Sequence, residues 1–156
     1  MNRLVIDASM MLSWLLPDEA NPEMAALRAT LPDFDSILVP AHWRLEVCNS
    51  LWMAERRKRI DASGIAQAVA IFAQFPVAID PETNDRAGSE ILALSRQHSL
   101  STYDAAYLEL ALRQAASLAS LDGPLRRISK QLNVPVLPNT TATLRRTDHG
   151  LHGLHG

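Results

Sequence analysis

A single cysteine, Cys48, stands in a chain of 156 residues, which excludes any disulfide within the chain. Lysine is almost as scarce, with only Lys58 and Lys130 among the 15 basic residues. Long hydrophobic runs are also missing: every apolar stretch stops far short of the roughly 20 residues that a membrane span needs. Nor is there a charge of one sign to spare. A formal net charge of −2 at pH 7 excludes a protein held on nucleic acid by a global basic field. The sequence contains no GxGxxG and no GxxxxGK[ST], so nothing supports a dinucleotide-binding dehydrogenase or a nucleotide-driven motor. The first residues run straight into Leu4-Val5-Ile6 with no secretory pattern. Together these absences predict a soluble protein of a reducing compartment, the cytoplasm.

What is present is a chain with 47% hydrophobic and 21% charged residues, the balance of a single globular domain. A chain of this length buries roughly 68–70% of its unfolded surface, enough for a core without staples. Short apolar runs alternate with longer helical patterns, which predicts an α/β protein with a mainly parallel sheet. Strands are expected at 4–6, 37–39, 77–79, 118–119 and 134–137, the last an edge strand because it contains a proline. Helices are expected over 10–16 with Ser9 as N-cap, over 22–31, and over 41–58 with an apolar stripe of Trp43, Val47, Leu51 and Trp52. Further helices follow from Asp61 to Phe75, over 81–97 with Ile91, Leu92 and Leu94 turned inward, over 101–113, and from Pro124. The pattern fails after Pro138, so residues 1–138 read as the domain and 139–156 as a tail. Its His149, His152 and His155 could take a transition metal, although the glycines between them fix no geometry.

Four acids stand where polar side chains should be rare. Asp7 follows the first strand and Asp122 follows Leu118-Ala119-Ser120-Leu121. Glu46 and Asp104 fall within the first two turns of helices that begin on the same side of the sheet. In a parallel α/β sheet, ligands bind beyond the carboxyl ends of the strands, so these four positions converge on one crevice. Two carboxylates about 4 Å apart repel by roughly 4 kcal/mol at an effective dielectric near 20. No base lies close in sequence to offset that repulsion, Arg44 being the nearest arginine to any of the four. A hard divalent cation with oxygen ligands and retained waters is the natural partner, Mg2+ or Mn2+. Taken singly, each acid also reads as something plainer: Asp7 and Asp122 as helix caps, Asp104 as part of a Ser101-x-x-Asp104 capping box, Glu46 as a surface residue. As a set in these contexts, they read as a site. Cys48, His42 and His98 are too scattered for a zinc site.

At the level of motifs the chain resembles a known family. Val5-Ile6-Asp7-Ala8-Ser9, followed by Trp14 and Pro17-Asp18-Glu19, resembles the opening of PIN-domain ribonucleases. Glu46-Val47-Cys48-Asn49 is similar to their second motif, Ser101-Thr102-Tyr103-Asp104-Ala105-Ala106-Tyr107-Leu108 to their third, and Leu118-Ala119-Ser120-Leu121-Asp122 to their fourth. The ordered match covers residues 3–137. The resemblance implies a PIN-like three-layer α/β/α fold and Mg2+- or Mn2+-dependent cleavage of RNA. It also implies a VapC-like toxin that forms a homodimer and is silenced by a small cognate antitoxin. Carried over position by position, Asp7, Glu46, Asp104 and Asp122 would be both the catalytic and the metal-binding set. Ser9, Asn49 and Ser120 would support them. Two departures stand out, Ser120 where the family often has threonine and Leu121 where it often has a polar residue.

RNA contact needs positive charge somewhere, and Arg56-Arg57-Lys58-Arg59 at the end of the third helix is the candidate, since guanidinium groups suit phosphates. A helix C-terminus favours cations in any case. The alternatives from other classes are a housekeeping RNA-processing nuclease on the same fold and a non-catalytic binding module. A haloacid-dehalogenase-type phosphohydrolase would want an aspartate where Ser9 stands.

Overall fold

The computed structural model describes residues 1–139. The expected tail beyond them, with its histidines, lies outside the described residues. Strand β1 (Arg3–Ile6) is the centre of the sheet, and its Leu4, Val5 and Ile6 are fully buried. Such an unbroken apolar run is what a strand covered on both faces requires. It pairs in parallel with β2 (Ser36–Val39) on one side and β4 (Ser117–Ala119) on the other. β3 (Ala78–Ile79) and β5 (Val136–Leu137) close the edges, giving a five-stranded, all-parallel sheet in the order β3-β2-β1-β4-β5. Helices flank it: α1 (Ala8–Leu15), α2 (Pro22–Ala29), α3 (Trp43–Arg56), α4 (Ala62–Ala73), α5 (Thr83–Arg86), α6 (Leu92–His98), α7 (Thr102–Arg113) and α8 (Gly123–Gln131). The α/β architecture expected from the alternating pattern is thus the one found.

The strand order reverses between β1 and β4, so the topological switch point falls where their carboxyl ends lie side by side. The Asp7 N–H bonds the Ala119 carbonyl there at 3.1 Å, joining the two exits. Core packing fixes the helices that frame this point. Trp43 is fully buried with its ring 5.1 Å from Phe72, locking α3 against α4. Trp14 stacks on Phe75 at 5.6 Å and donates its indole N–H to the Met24 carbonyl, joining α1, α2 and the end of α4. The described residues hold no helix long and apolar enough to cross a membrane.

Several boundaries differ from the sequence reading. Ser9 is not the cap of α1. The helix begins two residues earlier, and the Asp7 carboxylate accepts from the Met10 N–H, because aspartate reaches the N3 donor directly and leaves the Ser9 hydroxyl to bond elsewhere. The helix expected over 81–97 is interrupted by a π-helical turn, Ala87–Ile91. The wider turn shifts the register by part of a residue's rotation, so Ile91 stays buried while Leu92 is turned outward at 39% exposure. Trp52, placed by its spacing on the apolar stripe of α3, is 52% exposed; the buried stripe runs through Trp43, Val47, Ser50, Leu51 and Ala54 instead. β5 shrinks to two residues, since Pro135 has no N–H to give to the ladder.

Candidate active site

The four expected acids come from four elements around the switch point. Asp7 leaves β1, Asp122 leaves the loop after β4, Glu46 sits in the first turn of α3 and Asp104 in the first turn of α7. Asp7 is the most enclosed, at 3% exposure. Its Oδ1 accepts from the Ser9 hydroxyl at 2.7 Å and from the Met10 N–H at 2.9 Å, and its Oδ2 accepts from the Ser120 hydroxyl. All three donors are neutral. Burial therefore dominates, and the Asp7 carboxyl is pushed up to about 6, against the pull of the Ser120, Ser9 and Met10 hydrogen bonds and with a further push from the negative charge of Asp122.

The two serines bind the site together across a long sequence gap. The Ser9 hydroxyl accepts from the Leu121 N–H at 3.0 Å, and the Ser120 hydroxyl accepts from the Asp122 N–H at 3.0 Å. Each serine thus donates to Asp7 and accepts from the loop that carries Asp122. Asp122 also caps α8, its Oδ2 accepting from the Leu125 N–H at 2.9 Å. The cap readings of Asp7 and Asp122 are therefore correct without displacing the site, since the cap bond is what holds each carboxylate still.

Glu46 and Asp104 both act on Tyr107, Glu46 by a hydrogen bond and Asp104 by its charge. The fully buried Tyr107 hydroxyl donates to Glu46 Oε1 at 2.6 Å. Its pKa is held well above the ordinary tyrosine value, first by burial and then by the negative charges of Glu46, Asp7 and Asp104. One phenol oxygen thus senses three of the four acids, and Asp7 senses the fourth. The His42 ring lies edge-on to Tyr107 at 5.1 Å, with Nε2 3.9 Å from Glu46 Oε1.

Of the supporting residues expected from the sequence, Ser9 and Ser120 meet at Asp7, whereas Asn49 lies one turn along α3 from Glu46. Asn49 lines a groove of about 530 Å3 with His42, Leu45, Glu46, Cys48, Trp52 and Tyr103. The basic run does not enter the crevice. It ends α3 ten residues beyond Glu46, about 15 Å along the helix. Arg59 is engaged by Asp18 at 2.8 Å and Glu19 at 2.9 Å, and the Arg56 guanidinium lies over the Trp52 ring at 5.0 Å.

Two residues escaped the sequence reading. Tyr107 carries no signal in the sequence beyond its place in the third motif, one helical turn after Asp104. Arg126 corrects the expectation that no base is close. It is buried on α8, one turn past Asp122, and donates to the carbonyls of Ser120 at 2.9 Å, Leu137 at 3.0 Å and Pro138 at 2.8 Å. Burial lowers its pKa from the ordinary arginine value, while the charge of Asp7 acts the other way. Its hydrogen bonds all go to backbone, so it softens the negative potential from a distance and forms no ion pair with the acids among the described residues.

The donor set consists of hard carboxylate oxygens at a buried point where one carboxyl already holds its charge poorly. That chemistry fits a hard divalent cation. Among the described residues, no group of three or more Asp, Glu, His and Cys side chains is gathered closely enough to hold a metal ion by itself. The set suits an ion that keeps part of its water shell and meets substrate oxygens, the habit of Mg2+.

Residues 4–131 match the family model of the PIN domain. The chain belongs to the PIN domain family. This PIN domain is 24% identical over 136 residues to Ribonuclease VapC3 of Pyrobaculum aerophilum, a match spanning 87% of this chain and 99% of that protein. Its fold is similar to that of the crystal structure of PAE2754 from Pyrobaculum aerophilum, with a TM-score of 0.58 and 17% identity over 85% of this chain and 96% of the other. It is also similar to VapBC2 from Rickettsia felis bound to a DNA fragment from their promoter, with a TM-score of 0.59 and 10% identity over 86% and 96%. At those identities the two structures speak for the PIN fold alone. The four acids lie within the matched span.

Proposed function

We propose that this PIN domain is a metal-dependent endoribonuclease and the toxin of a VapBC-type toxin–antitoxin pair. The observation that carries the reading is that buried Asp7, at the switch of the sheet, is pushed up to about 6 with the charge of Asp122 adding to the push, while the Tyr107 phenol feels the charges of Glu46, Asp7 and Asp104. The relative's name, Ribonuclease VapC3, supports RNA as the substrate.

In this reading Asp7 and Asp122 hold the ion from the sheet side, and Glu46 and Asp104 from the helices. Mg2+ or Mn2+, when bound, neutralises charge on the phosphate and lowers the pKa of a water for in-line attack. Ser9 and Ser120 keep Asp7 from turning out of the crevice, and they tie its position to that of the Asp122 loop. Arg126 fixes the Ser120 carbonyl and so the mouth of that loop. The partner is a small antitoxin. The groove along α3 supports this, because Leu45, 77% exposed, and Trp52 offer apolar surface beside the acids, which a protein partner would cover. A homodimer would use similar apolar surface.

The test is direct. The purified chain should cleave RNA with Mg2+ or Mn2+ and fall silent with EDTA. Asp7→Asn and Asp104→Asn should lose cleavage while keeping the parent's circular dichroism. The product of a neighbouring short reading frame should co-purify with the chain and inhibit it. An Asp104→Asn variant that cuts at the parent rate would refute the site.

A further inference from the structure

We infer that Tyr107 is a positioning residue that makes Glu46 a one-oxygen ligand, and so sets which divalent ion the crevice prefers. The inference rests on the proposed role of Glu46 in holding a cation. Glu46 Oε1 carries the Tyr107 hydroxyl at 2.6 Å. The phenol is fully buried, its ring edge-packed against His42 on one face of the crevice, so the O–H has no solvent to turn to. A neutral phenol donates and a carboxylate only accepts, so this bond persists whenever Glu46 is ionised. An ion arriving at Glu46 therefore meets one oxygen already engaged.

That matters because the two common hard cations use carboxylates differently. Ca2+ takes six to eight oxygens at longer distances and often binds a carboxylate through both oxygens, whereas Mg2+ demands a small octahedral shell and uses single carboxylate oxygens with waters. Engaging Oε1 penalises the two-oxygen mode and leaves the one-oxygen mode intact. Asp7 carries hydrogen bonds on both oxygens, from Ser9 and Met10 on Oδ1 and from Ser120 on Oδ2, so they favour neither mode. Tyr107 differs in being a single removable donor, because Phe keeps the ring, the packing and the helix.

The experiment titrates the full chain with Mn2+, read by electron paramagnetic resonance, and uses Ca2+ and Mg2+ as competitors. In Tyr107→Phe, Ca2+ should compete about tenfold better relative to Mg2+ than in the parent, the scale set by a hydrogen bond to a charged group. On a Glu46→Gln background the same change should have no further effect, since Tyr107 acts through Glu46. Glu46→Asp, which draws the acid back from the phenol while keeping its charge, should raise Ca2+ competition as well. It carries the test by itself if Tyr107→Phe fails to fold by circular dichroism. A Ca2+-to-Mg2+ ratio unchanged from the parent in the folded variants would overturn the inference while leaving the metal site standing. A parent that binds no Mn2+ would overturn the metal reading, and this inference with it.

Discussion

Replacing Asp7 by Asn removes a charge that burial penalises, and the size of the effect follows from the site. Carrying the carboxyl from 3.8 to about 6 corresponds to about 3 kcal/mol, at about 1.4 kcal/mol per tenfold change in proton affinity. The sign follows from proton counting. Between about pH 4 and pH 6 the folded chain holds a proton on Asp7 that the unfolded chain has released, so this group's contribution to stability falls as pH rises through that window and is flat above it. Asparagine keeps the shape and can still accept from the Met10 N–H, while one serine hydroxyl turns to accept from the new amide. Imperfect hydrogen bonding takes back part of the gain. The variant should thus be more stable than the parent by about 1–3 kcal/mol at pH 7, with the difference vanishing near pH 4. In a chain of this size each kcal/mol is worth about 2–4 °C in Tm. Urea unfolding followed by circular dichroism in EDTA, from pH 4 to 8, measures it. Adding Mg2+ or Mn2+ at pH 7 should then raise the parent's midpoint and leave the variant's almost unmoved. The reasoning is refuted by a variant less stable than the parent at pH 7, together with a parent whose stability is flat between pH 4 and 6.

Other substitutions probe the frame around the site. Arg113→Ala should destabilise by about 3–5 kcal/mol in urea, because it strips the guanidinium from buried Asp80 (2.6 Å) and leaves buried Glu109 (2.8 Å) only the longer contact with Arg86 (3.6 Å). Burial alone would raise Asp80, but the Arg113 hydrogen bonds override it and hold its carboxyl below the ordinary value. The contribution of Asp80 is thus present above the unfolded value and lost as pH falls through the folded one, so the parent but not the variant should lose stability in acid below about pH 4. Arg126→Met should cost about 3 kcal/mol, because the Ser120 and Pro138 carbonyls lose this donor and the Leu137 carbonyl keeps only the Ser120 N–H, and thermal melting will register it. Leu45→Asp should leave Tm within about 1 °C, since the side chain is exposed, and should weaken capture of the antitoxin in a pull-down.

The sheet was legible in the sequence because its central strand is apolar at three successive positions, and because prolines and N-caps mark the ends of most helices. The four acids were legible for a related reason: a charged residue straight after a buried strand, as at Asp7, has few structural uses. What the sequence hid is what depends on rotation and on distant partners. The π turn at Ala87–Ile91 carries no proline; its Gly88-Ser89 pair is a weak breaker that a helix tolerates, and it did not announce that Leu92 would face outward. Trp52 has the spacing of a core residue, but α3 is covered only along a narrower stripe. Arg126 lies four residues from Asp122 and reads as an ordinary basic residue of an amphipathic helix. Only the fold places it beneath the Ser120 and Leu137 carbonyls.

The hydrogen bond from Ser120 to Asp7 spans 113 positions of the chain. During synthesis on a ribosome the first acid emerges early and waits for nearly the whole domain before its counterpart loop exists. A growing chain that has not yet reached β4 therefore lacks the serine hydroxyl that holds Asp7 in place, and the environment of Asp7 exists only in the finished fold.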